Sequence, residues 1–383
     1  MRILTSVHFY LPGYKAGGPV RSLANLVEQT GRDFSFLVVT CDRDLGDSRP
    51  YPGVDLSGWN EVKGAQVAYV APTLSGLLRL MRLFVKTPHD VLYLNSLFNP
   101  VYTLLPLALR KLRIGPSTPV VIAPRGELSA GALGLKKTKK LALLRLAKLM
   151  RLYQPVTWHA SSEFEATDIK DWFGRKARIV IAVNVPSSTK GCGEVRAGGL
   201  QEGAALRVVF LSRITPKKNL EFALRVLKRV SAPVEFAIYG PHVDRAYLAR
   251  CRDMAEAMPG NVNVQWHDAV PPEQVVDVLA GHDLFFFPTR GENYGHVIAE
   301  ALTAGTPVLI SDSTPWRGLD LAGVGWDIGL EHEAKFVERI EQCARIPRGD
   351  YTAWRGRVAL YAQGRLALPD VVEANRRLFR SAV

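Results

Sequence analysis

The sequence predicts an α/β protein of two domains, each built on an open, mostly parallel β-sheet. Short apolar segments alternate with helical segments along both halves of the chain, and a Gly/Ser-rich stretch at 185–205 separates the halves. The length of 383 residues, 47% of them hydrophobic, is sufficient for two buried cores. We therefore place a first Rossmann-like domain at 1–185, a second at 186–362, and a C-terminal helix at 363–383 that packs back on the first.

In the first half, each predicted strand is a short run of mainly apolar residues, and amphipathic segments between the runs predict helices. This alternation is typical of βαβ units, whose strands lie parallel. The predicted strands are 2–8, 36–40, 91–95, 120–123, 156–160 and 179–181.

The second half repeats the pattern, so its sheet should also be parallel and should bind ligands at the carboxyl ends of its strands. The two segments after the last strand, 351–362 and 369–383, read as helices that cross back over the domain junction. The predicted strands are 207–211, 234–239, 262–266, 284–287 and 307–310.

The start of the chain is a short apolar run that Pro12 and Gly13 soon end, which favours a buried strand over a signal peptide. The uncharged segment 91–109 contains two prolines and several polar residues, which favours a strand and a buried helix over a membrane span. The four cysteines are far apart and predict neither a disulfide framework nor a zinc site. We expect a cytoplasmic protein.

The excess of basic over acidic residues lies entirely in the first half of the chain. Residues 1–190 hold 26 Lys and Arg against 13 Asp and Glu, whereas residues 191–383 hold 23 of each. Within 101–160 there are 11 basic residues and one acidic residue, Glu127. This concentration predicts a basic surface on the first domain that binds an anionic partner, or a solvated helix face.

The most specific motif follows the apolar strand at 284–287. Glu292 and Glu300 are eight residues apart, one in a loop and one inside the helix that begins near Gly295. The N-terminus of that helix can bind a diphosphate, because its N–H groups and the positive end of its dipole point into the loop. Glu292 can accept hydrogen bonds from sugar hydroxyls and Glu300 from two ribose hydroxyls, so that two carboxylates bracket a nucleotide sugar.

A second motif lies at the end of the strand at 207–211. Arg213 and Lys218 stand on either side of a proline-containing turn, five residues apart. Two cations at the end of a parallel strand can converge on one phosphate group and neutralise a departing diphosphate.

These segments resemble glycosyltransferase family 4, whose members are retaining enzymes with the GT-B fold. The resemblance extends over nearly the whole chain and is most specific in the second half. It implies two Rossmann-like domains facing across a cleft, and a nucleotide diphosphate sugar as donor. It places Arg213 and Lys218 on the diphosphate, Glu300 on the ribose and Glu292 on the transferred sugar. Asn293, Tyr294 and Gly295 would touch the sugar and the phosphates.

The resemblance also identifies candidate residues in the first domain. Gly17 and Gly18 match the family's flexible loop after the first strand, where the absence of Cβ lets backbone approach the donor phosphate. Many relatives have a histidine after the strand at 120–123, where this chain has Arg125 and Glu127 instead. We expect both on the acceptor side, with His159 as a further candidate or else a structural histidine.

The mechanism implied by the resemblance is transfer with retention of anomeric configuration, in which the leaving phosphate helps to accept the proton of the incoming hydroxyl. No Asp-x-Asp motif stands where a divalent ion would bridge the diphosphate. We therefore expect no metal and no cofactor, with Arg213, Lys218 and the helix N-terminus supplying the positive charge.

The acceptor is expected to be a glycan or a lipid-linked molecule in cell-surface polysaccharide or glycolipid synthesis. The segment 135–153 predicts a basic, leucine-rich helix, and we predict that Lys136, Lys137, Lys139 and Lys140 contact an anionic membrane on its cytoplasmic side. The alternative is that the leucines pack on the sheet and the lysines face water.

Two other classes of function compete with this prediction. The same fold could serve a nucleotide-sugar epimerase or a hydrolase. A non-catalytic basic protein bound to nucleic acid or membrane would fit the net charge of +13. Nucleic acid is disfavoured as a partner because leucines, not aromatic residues, are interleaved with the basic residues.

Overall fold

The computed structural model describes residues 1–129, 137–186, 204–366 and 368–383. The chain forms two compact units, Met1–Ser188 together with Leu368–Val383, and Thr189–Ala367. Most of the predicted Gly/Ser-rich stretch and Lys136 lie outside the described residues.

The first unit is built on a sheet in the order β3-β4-β2-β1-β5-β6-β7-β8, in which all neighbouring strands are parallel except β3 and β4. Its central strands are buried on both faces, as expected of a parallel sheet covered by helices. The strands are β1 Arg2–Ser6, β2 Ser35–Cys41, β3 Asn60–Val62, β4 Ala65–Val70, β5 Val91–Leu94, β6 Val120–Ile122, β7 Thr157–Ala160 and β8 Arg178–Ile181.

Helices follow the strands of this unit and bury one stripe each against the sheet. A π-helical turn, Pro100–Leu104, leads directly into the third helix. The helices are α1 Gly18–Thr30, α2 Leu74–Lys86, α3 Leu105–Lys111, α4 Lys137–Leu149 and α5 Glu163–Phe173.

The C-terminal helix Leu368–Arg380 belongs to the first unit. Phe379 makes edge-to-face contacts with Phe34, Phe36 and Tyr93 in the core of this unit. Asn375 donates a hydrogen bond of 2.9 Å to the carbonyl of Val183. The last residues of the chain therefore complete a core that begins with the first strand.

The second unit has a fully parallel sheet in the order β11-β10-β9-β12-β13-β14. The strand order reverses between β9 and β12, which makes the carboxyl ends of these two strands the topological switch point where such folds bind ligands. The strands are β9 Leu206–Leu211, β10 Val234–Tyr239, β11 Val262–His267, β12 Leu284–Phe287, β13 Val308–Ser311 and β14 Gly325–Ile328.

The helices of this unit complete its core around Phe285, Phe286 and Phe287, which are fully buried. Gly305 follows the helix of the glutamate motif at a φ of 68°, and a Cβ there would lie 3.0 Å from the carbonyl of Arg355. The helices are α6 Leu220–Leu227, α7 Arg245–Glu256, α8 Val275–Ala280, α9 His296–Thr303, α10 Glu333–Ala344 and α11 Arg348–Arg365; the C-terminal helix is α12.

Candidate functional site

The predicted cations and glutamates of the second unit meet at the switch point of its sheet. The loop after β9 carries Arg213 and Lys218, and the loop after β12 carries Glu292. β12 pairs directly with β9, so that both loops leave the same edge of the sheet next to each other. The structure thus places together residues that are more than 70 positions apart in the sequence.

Lys218 and Glu292 form an ion pair through Nζ and Oε1. The Lys218 ammonium also lies 5.4 Å from the centre of the Phe287 ring. Burial lowers the pKa of Lys218, and the Glu292 carboxylate opposes that shift. In this arrangement the glutamate compensates a desolvated cation that would otherwise be costly to bury.

Arg213 lies beside this pair and makes no hydrogen bond or ion pair with any residue that the structure describes. Burial lowers its pKa, and Glu292 again opposes the shift, which places the guanidinium within electrostatic range of the carboxylate. Two cations therefore share one carboxylate, and the cluster carries an uncompensated positive charge suited to an anion.

Backbone and hydroxyl contacts fix the two loops to each other. Arg290 donates its N–H to the Lys217 carbonyl at 2.8 Å, and the Thr289 hydroxyl bonds the same carbonyl at 3.1 Å. Asn219, at a left-handed φ of 61°, donates from Nδ2 to the Pro288 carbonyl at 3.0 Å. These contacts join the loop after β9 to the loop after β12, which fixes the positions of Lys218 and Glu292 relative to each other.

Gly240, after β10, is part of this scaffold although sequence reasoning did not identify it. A Cβ at this position would lie 1.9 Å from the carbonyl oxygen of Ser212. Only glycine lets the end of β10 pack against the residue that precedes Arg213. The Tyr-Gly-Pro sequence at the end of the predicted strand 234–239 could have indicated a position that requires glycine.

The segment before α9 is shaped by a tight turn at Gly295, which caps the helix at a φ of 80°. A Cβ there would approach Ile298 Cδ1 to 2.8 Å. Trp316 donates from Nε1 to the Tyr294 carbonyl at 2.7 Å, and the Tyr294 ring itself is buried. In the described contacts, Tyr294 therefore stabilises the turn through its carbonyl and its buried ring.

Glu300 lies in the second turn of α9, as the sequence predicts, and is only partly buried. Its carboxylate is close enough to contribute to the raised pKa of Tyr294, after burial of the phenol. Asn293 lies partly buried in the loop between Glu292 and Tyr294. All the predicted donor residues of this unit therefore lie on the segment from the end of β12 to α9 or on the loop after β9.

In the first unit, a polar cluster lies at the carboxyl edge of the sheet and is centred on Arg125. This residue adopts a φ of 56°, which is unusual for a side chain other than glycine or asparagine. Its guanidinium bonds Asn95 Oδ1 at 2.7 Å, the Tyr93 hydroxyl at 2.8 Å, and Asn184 Oδ1. Residues at the ends of two other strands, β5 and β8, thus hold the side chain of this strained residue in place.

His159 contacts this cluster through the Tyr93 hydroxyl and is almost fully buried. Its Nε2 lies 2.8 Å from the Ala182 carbonyl, which can only accept, so that Nε2 carries the proton. Nδ1 then accepts from the Tyr93 hydroxyl at 2.7 Å, and that hydroxyl accepts from Arg125. Burial lowers the pKa of His159 to about 3, which favours the structural alternative for this histidine over a role in proton transfer.

Two glutamates fix the loops around Arg125. Glu127 accepts from the backbone N–H of Leu97 at 2.5 Å and from the Ser96 hydroxyl at 3.0 Å, and burial raises its pKa. Glu165 is buried and accepts from the N–H of Gly126 at 2.6 Å and from Ser161. Glu165, Tyr93, Asn95 and Asn184 were not identified from the sequence, although Asn95 is the last residue of the predicted strand 91–95 and Asn184 lies three residues after the predicted strand 179–181.

The glycine loop of the first unit ends at Gly17, which has a φ of 73° and precedes α1; Gly18 is the first residue of that helix. Asp44 accepts from the backbone N–H groups of Tyr14 at 2.8 Å and Lys15 at 3.0 Å. A carboxylate from the loop after β2 therefore holds the glycine loop in shape.

The basic segment 135–153 contains helix α4, Lys137–Leu149. Leu144 of this helix is fully buried, and the exposed Lys148 donates to the Trp172 carbonyl. Lys140 lies 5.7 Å from the centre of the Phe98 ring. The buried leucine packs in the core beside the sheet, whereas Lys148 keeps its side chain at the surface. The membrane contact of Lys136, Lys137, Lys139 and Lys140 stays a prediction.

The exposed residues of α4 and of the turn after it include apolar side chains, with Leu146 53% exposed, Leu149 81% and Met150 50%. They alternate with the exposed cations Arg145, Lys148 and Arg151. The alternative, that the leucines pack on the sheet and the lysines face water, agrees with the buried Leu144 and the exposed Lys148 but not with the exposed Leu146 and Leu149. Of the predicted membrane lysines, Lys136 lies outside the described residues, and the structure gives only the backbone of Lys137 and Lys139.

Within the described residues, no cluster of three or more His, Cys, Asp or Glu side chains could hold a metal ion. In the same part of the chain, no helix combines the length and apolar character needed to cross a membrane.

The comparisons with known proteins agree with this geometry. Residues 196–342, which contain the cation cluster and the glutamate motif, match the family model "Glycosyl transferases group 1". No curated protein matches the sequence. Solved structures match over the whole length, at low sequence identity.

The chain has the GT-B fold. The structure of Anabaena Alr3699/HepE in complex with UDP and glucose is 15% identical and matches with a TM-score of 0.68, covering 100% of this chain and 99% of that one. Sucrose-phosphate synthase from Thermosynechococcus elongatus is 14% identical, with a TM-score of 0.69 and coverage of 99% and 98%. WaaG, described as a glycosyltransferase involved in lipopolysaccharide biosynthesis, is 16% identical, with a TM-score of 0.64 and coverage of 100% and 98%. The fold predicted from the sequence is confirmed.

Proposed function

We propose that this protein is a retaining, metal-independent glycosyltransferase that transfers a hexosyl group from a nucleotide diphosphate sugar to a glycan or lipid-linked acceptor. The observation that carries the proposal is the cluster of Arg213, Lys218 and Glu292 at the switch point of the second sheet. It lies within the segment that matches the glycosyl transferases group 1 model.

The cluster suits a reaction in which a diphosphate leaves. Negative charge grows on the bridging oxygen as the glycosidic bond to the diphosphate breaks, and cations already desolvated and held in place stabilise that charge. Arg213 has no described partner to give up, and Lys218 can exchange Glu292 for a phosphate oxygen. The N–H groups at the start of α9 add donors for the same group.

Glu292 would gain a new partner in the same exchange. When Lys218 turns to the phosphate, the carboxylate becomes an acceptor for hydroxyls of the transferred sugar. Glu300, in the second turn of α9, would accept from the ribose. The sugar and the nucleotide would thus be read by two carboxylates on one segment of chain.

We propose UDP-glucose as the first donor to test, because UDP and glucose or UDP-glucose occupy the structures of Alr3699/HepE that share this fold. Retention is proposed from the resemblance: the leaving phosphate and the incoming hydroxyl lie on one face of the sugar, so the phosphate can accept the hydroxyl's proton.

The experiment is a donor panel of UDP-, GDP- and ADP-sugars with release of nucleoside diphosphate as the readout, with and without glycan and lipid-linked acceptors. We expect release from one nucleotide class that rises at least about tenfold with an acceptor and is unchanged by EDTA. Acceptor-independent release would identify a hydrolase, and conversion of the sugar without release would identify an epimerase. A loss with EDTA that Mg²⁺ restores would contradict metal independence.

For the acceptor, we propose that the first unit contacts a membrane surface through the outward residues of α4, which supports a lipid-linked acceptor and a role in cell-surface polysaccharide or glycolipid synthesis. Leu146, Leu149 and Met150 form an exposed apolar strip, and Arg145 beside them is also exposed. Apolar side chains that insert among acyl chains, flanked by cations, are typical of a helix lying in the membrane interface.

Co-sedimentation with vesicles tests this contact. We expect Leu149→Asp to reduce binding to phosphatidylglycerol vesicles by about tenfold, since a charge replaces an inserted side chain. Leu360→Asp is the matched control, because Leu360 is 67% exposed on α11 in the second unit. Equal binding of the wild type and Leu149→Asp would contradict the contact.

A further inference from the structure

A cavity of about 620 Å³ lies in the first unit at the edge of the sheet opposite the Arg125 cluster. Its wall includes the first residues of three neighbouring strands, namely Val120 of β6, Thr157 of β7 and Arg178 of β8. Parallel strands begin at one edge and end at the other, and four residues span roughly 13 Å. The cavity is therefore separate from the polar cluster at the carboxyl edge.

Two basic runs of identical spacing converge on this cavity. Residues 110–113 read Arg-Lys-Leu-Arg ahead of β6, and residues 175–178 read Arg-Lys-Ala-Arg and lead into β8. Arg110, Lys176 and Arg178 line the cavity, and none of its lining residues is acidic. The fold brings together two basic segments that are 65 positions apart.

None of these three cations has an acidic partner among the described residues. Arg178 donates to the Ser381 carbonyl, a neutral acceptor. Lys176 forms no described ion pair or hydrogen bond, and it is exposed at the mouth. The Nε of Arg110 is buried and has no hydrogen-bond partner in the described structure. Burial lowers the pKa of Arg110, as expected of a cation without a compensating anion.

The wall supplies further polar groups and an aromatic side. Ser117, Gln154 and Thr157 add hydroxyl and amide groups, while Trp158 and Phe173 add rings. Two guanidiniums and an ammonium around one space match the several oxygens and the charge of a phosphate, which guanidinium binds in bidentate fashion. The volume leaves room for an organic group attached to that phosphate.

We propose that this cavity is a phosphate-binding site, distinct from the donor site, that takes a phosphate ester between Arg110, Lys176 and Arg178. The phosphate belongs either to the headgroup of an anionic phospholipid or to a soluble phosphate ester. Leu112 and Ile114, 69% and 47% exposed next to Arg110 in the sequence, make the lipid the source to test first.

The test uses the whole protein and three probes: inorganic phosphate, dihexanoyl phosphatidylglycerol below its micelle concentration, and vesicles with or without phosphatidylglycerol. We expect saturable calorimetric binding of at least one soluble probe, weakened about tenfold or more in Arg110→Gln/Lys176→Gln. Tighter binding of the lipid probe than of inorganic phosphate identifies the lipid source, and equal binding identifies a soluble ester.

The matched control is Lys111→Gln/Arg175→Gln, which removes the same charge from the same two runs at exposed residues that do not line the cavity. It should bind within about twofold of the wild type. No saturable binding of either soluble probe, or equal weakening in both double variants, would overturn the proposal. Lys176→Gln alone, at an exposed site, keeps the test valid if loss of Arg110 impairs folding.

The proposal is independent of the donor chemistry. Nucleotide-sugar turnover in solution should be the same in Arg110→Gln/Lys176→Gln as in the wild type, because the cavity belongs to the first unit and the cation cluster to the second. A loss of soluble turnover equal to the loss of phosphate binding would show that the site is part of the transfer machinery instead.

Discussion

The polar clusters at the carboxyl edges of the two sheets differ in how far their charged side chains are paired. In the first unit, the side chains of Arg125, His159 and Glu165 each bind fixed neighbours on other loops or strands. In the second unit, Lys218 pairs with Glu292, and Arg213 beside them has no described partner. The charged side chains of the first cluster have partners, although the buried Nδ2 of Asn95 has none among the described residues, whereas the second cluster has charge left over for a ligand.

Under the proposed function, this difference corresponds to separate tasks for the two units. A network with fixed partners can hold a strained residue such as Arg125 in one geometry, which suits a surface that positions an acceptor. A partly compensated cation cluster costs stability without a ligand and regains it when an anion binds. Variants in the second cluster should therefore change chemistry, and those in the first should change folding stability.

The largest effect is expected for the cations of the second unit. Lys218→Ala and Arg213→Ala should each reduce turnover by about 10²-fold or more, because each removes a preorganised charge from the leaving diphosphate. Steady-state kinetics with the identified donor measure this. Lys228→Ala, at an exposed residue after α6, is the control and should keep wild-type turnover. Full activity of either cluster variant would refute the assignment.

Glu292→Ala should lower turnover by between about 10- and 100-fold while leaving affinity for the nucleoside diphosphate equal or higher. The carboxylate that competes with phosphate for Lys218 is gone, but so is the acceptor for the sugar. Calorimetry with UDP and steady-state kinetics separate the two effects. A loss confined to UDP affinity would reverse the proposed roles of the two glutamates.

The same variant should change the pH dependence of UDP binding. Burial lowers the pKa of Lys218 and Glu292 opposes this, so removal of the carboxylate lowers that pKa further. Lysine loses its charge as the pH rises through its pKa, so UDP binding by Glu292→Ala should begin to weaken at a lower pH than in the wild type. Titrations from pH 7 to 10 would show the shift, and superimposable curves would contradict it.

A smaller effect is expected for Glu300→Ala, which should weaken binding of the nucleoside diphosphate by about tenfold, or about 1.5 kcal/mol, by removing a charged acceptor from the ribose. Glu256→Ala, at an exposed position at the end of α7, is the control and should not change affinity. Replacing the nucleotide by its 2′-deoxy form should reduce affinity less in Glu300→Ala than in the wild type, because the hydroxyl's partner is already missing. An equal loss in both proteins would place the ribose elsewhere.

The smallest effect on turnover and the clearest effect on stability are expected for His159→Gln. Its unfolding free energy at pH 7 should fall by about 1–3 kcal/mol because two buried hydrogen bonds are disturbed. The folded pKa of about 3 lies below the ordinary value of 6.5, so the unfolded chain binds the extra proton between these pH values. Wild-type stability therefore declines as the pH falls through this window.

Urea unfolding at pH 7 and pH 5 measures that decline, which should be shallower in His159→Gln than in the wild type. His332→Gln is the control, because His332 is half exposed and should keep the wild-type slope. An identical slope in all three proteins would show that His159 is not held neutral. A large loss of turnover in His159→Gln with unchanged stability would instead support a functional role for His159 at the acceptor side.

The sequence by itself determined the strands with strong apolar runs, the start of α9 at Gly295 and the residues of the donor motifs. These features are local, since strand runs, a glycine with positive φ and a helix start each depend on a few neighbouring residues. The short strands β3 and β14 were missed because three or four residues of mixed polarity give little periodicity; β4 was missed although five of its six residues are apolar.

Only the tertiary structure decided which charges meet. The pairing of Lys218 with Glu292 depends on β9 and β12 being neighbours, and the hold on Arg125 depends on β5, β6 and β8 ending at one edge. Helical periodicity fixes which residues of α4 share a face, but only the tertiary structure decides which face the sheet covers, so that Leu144 is buried and Leu149 is exposed. Contacts between distant segments are set by strand order, and strand order leaves no local mark on the sequence.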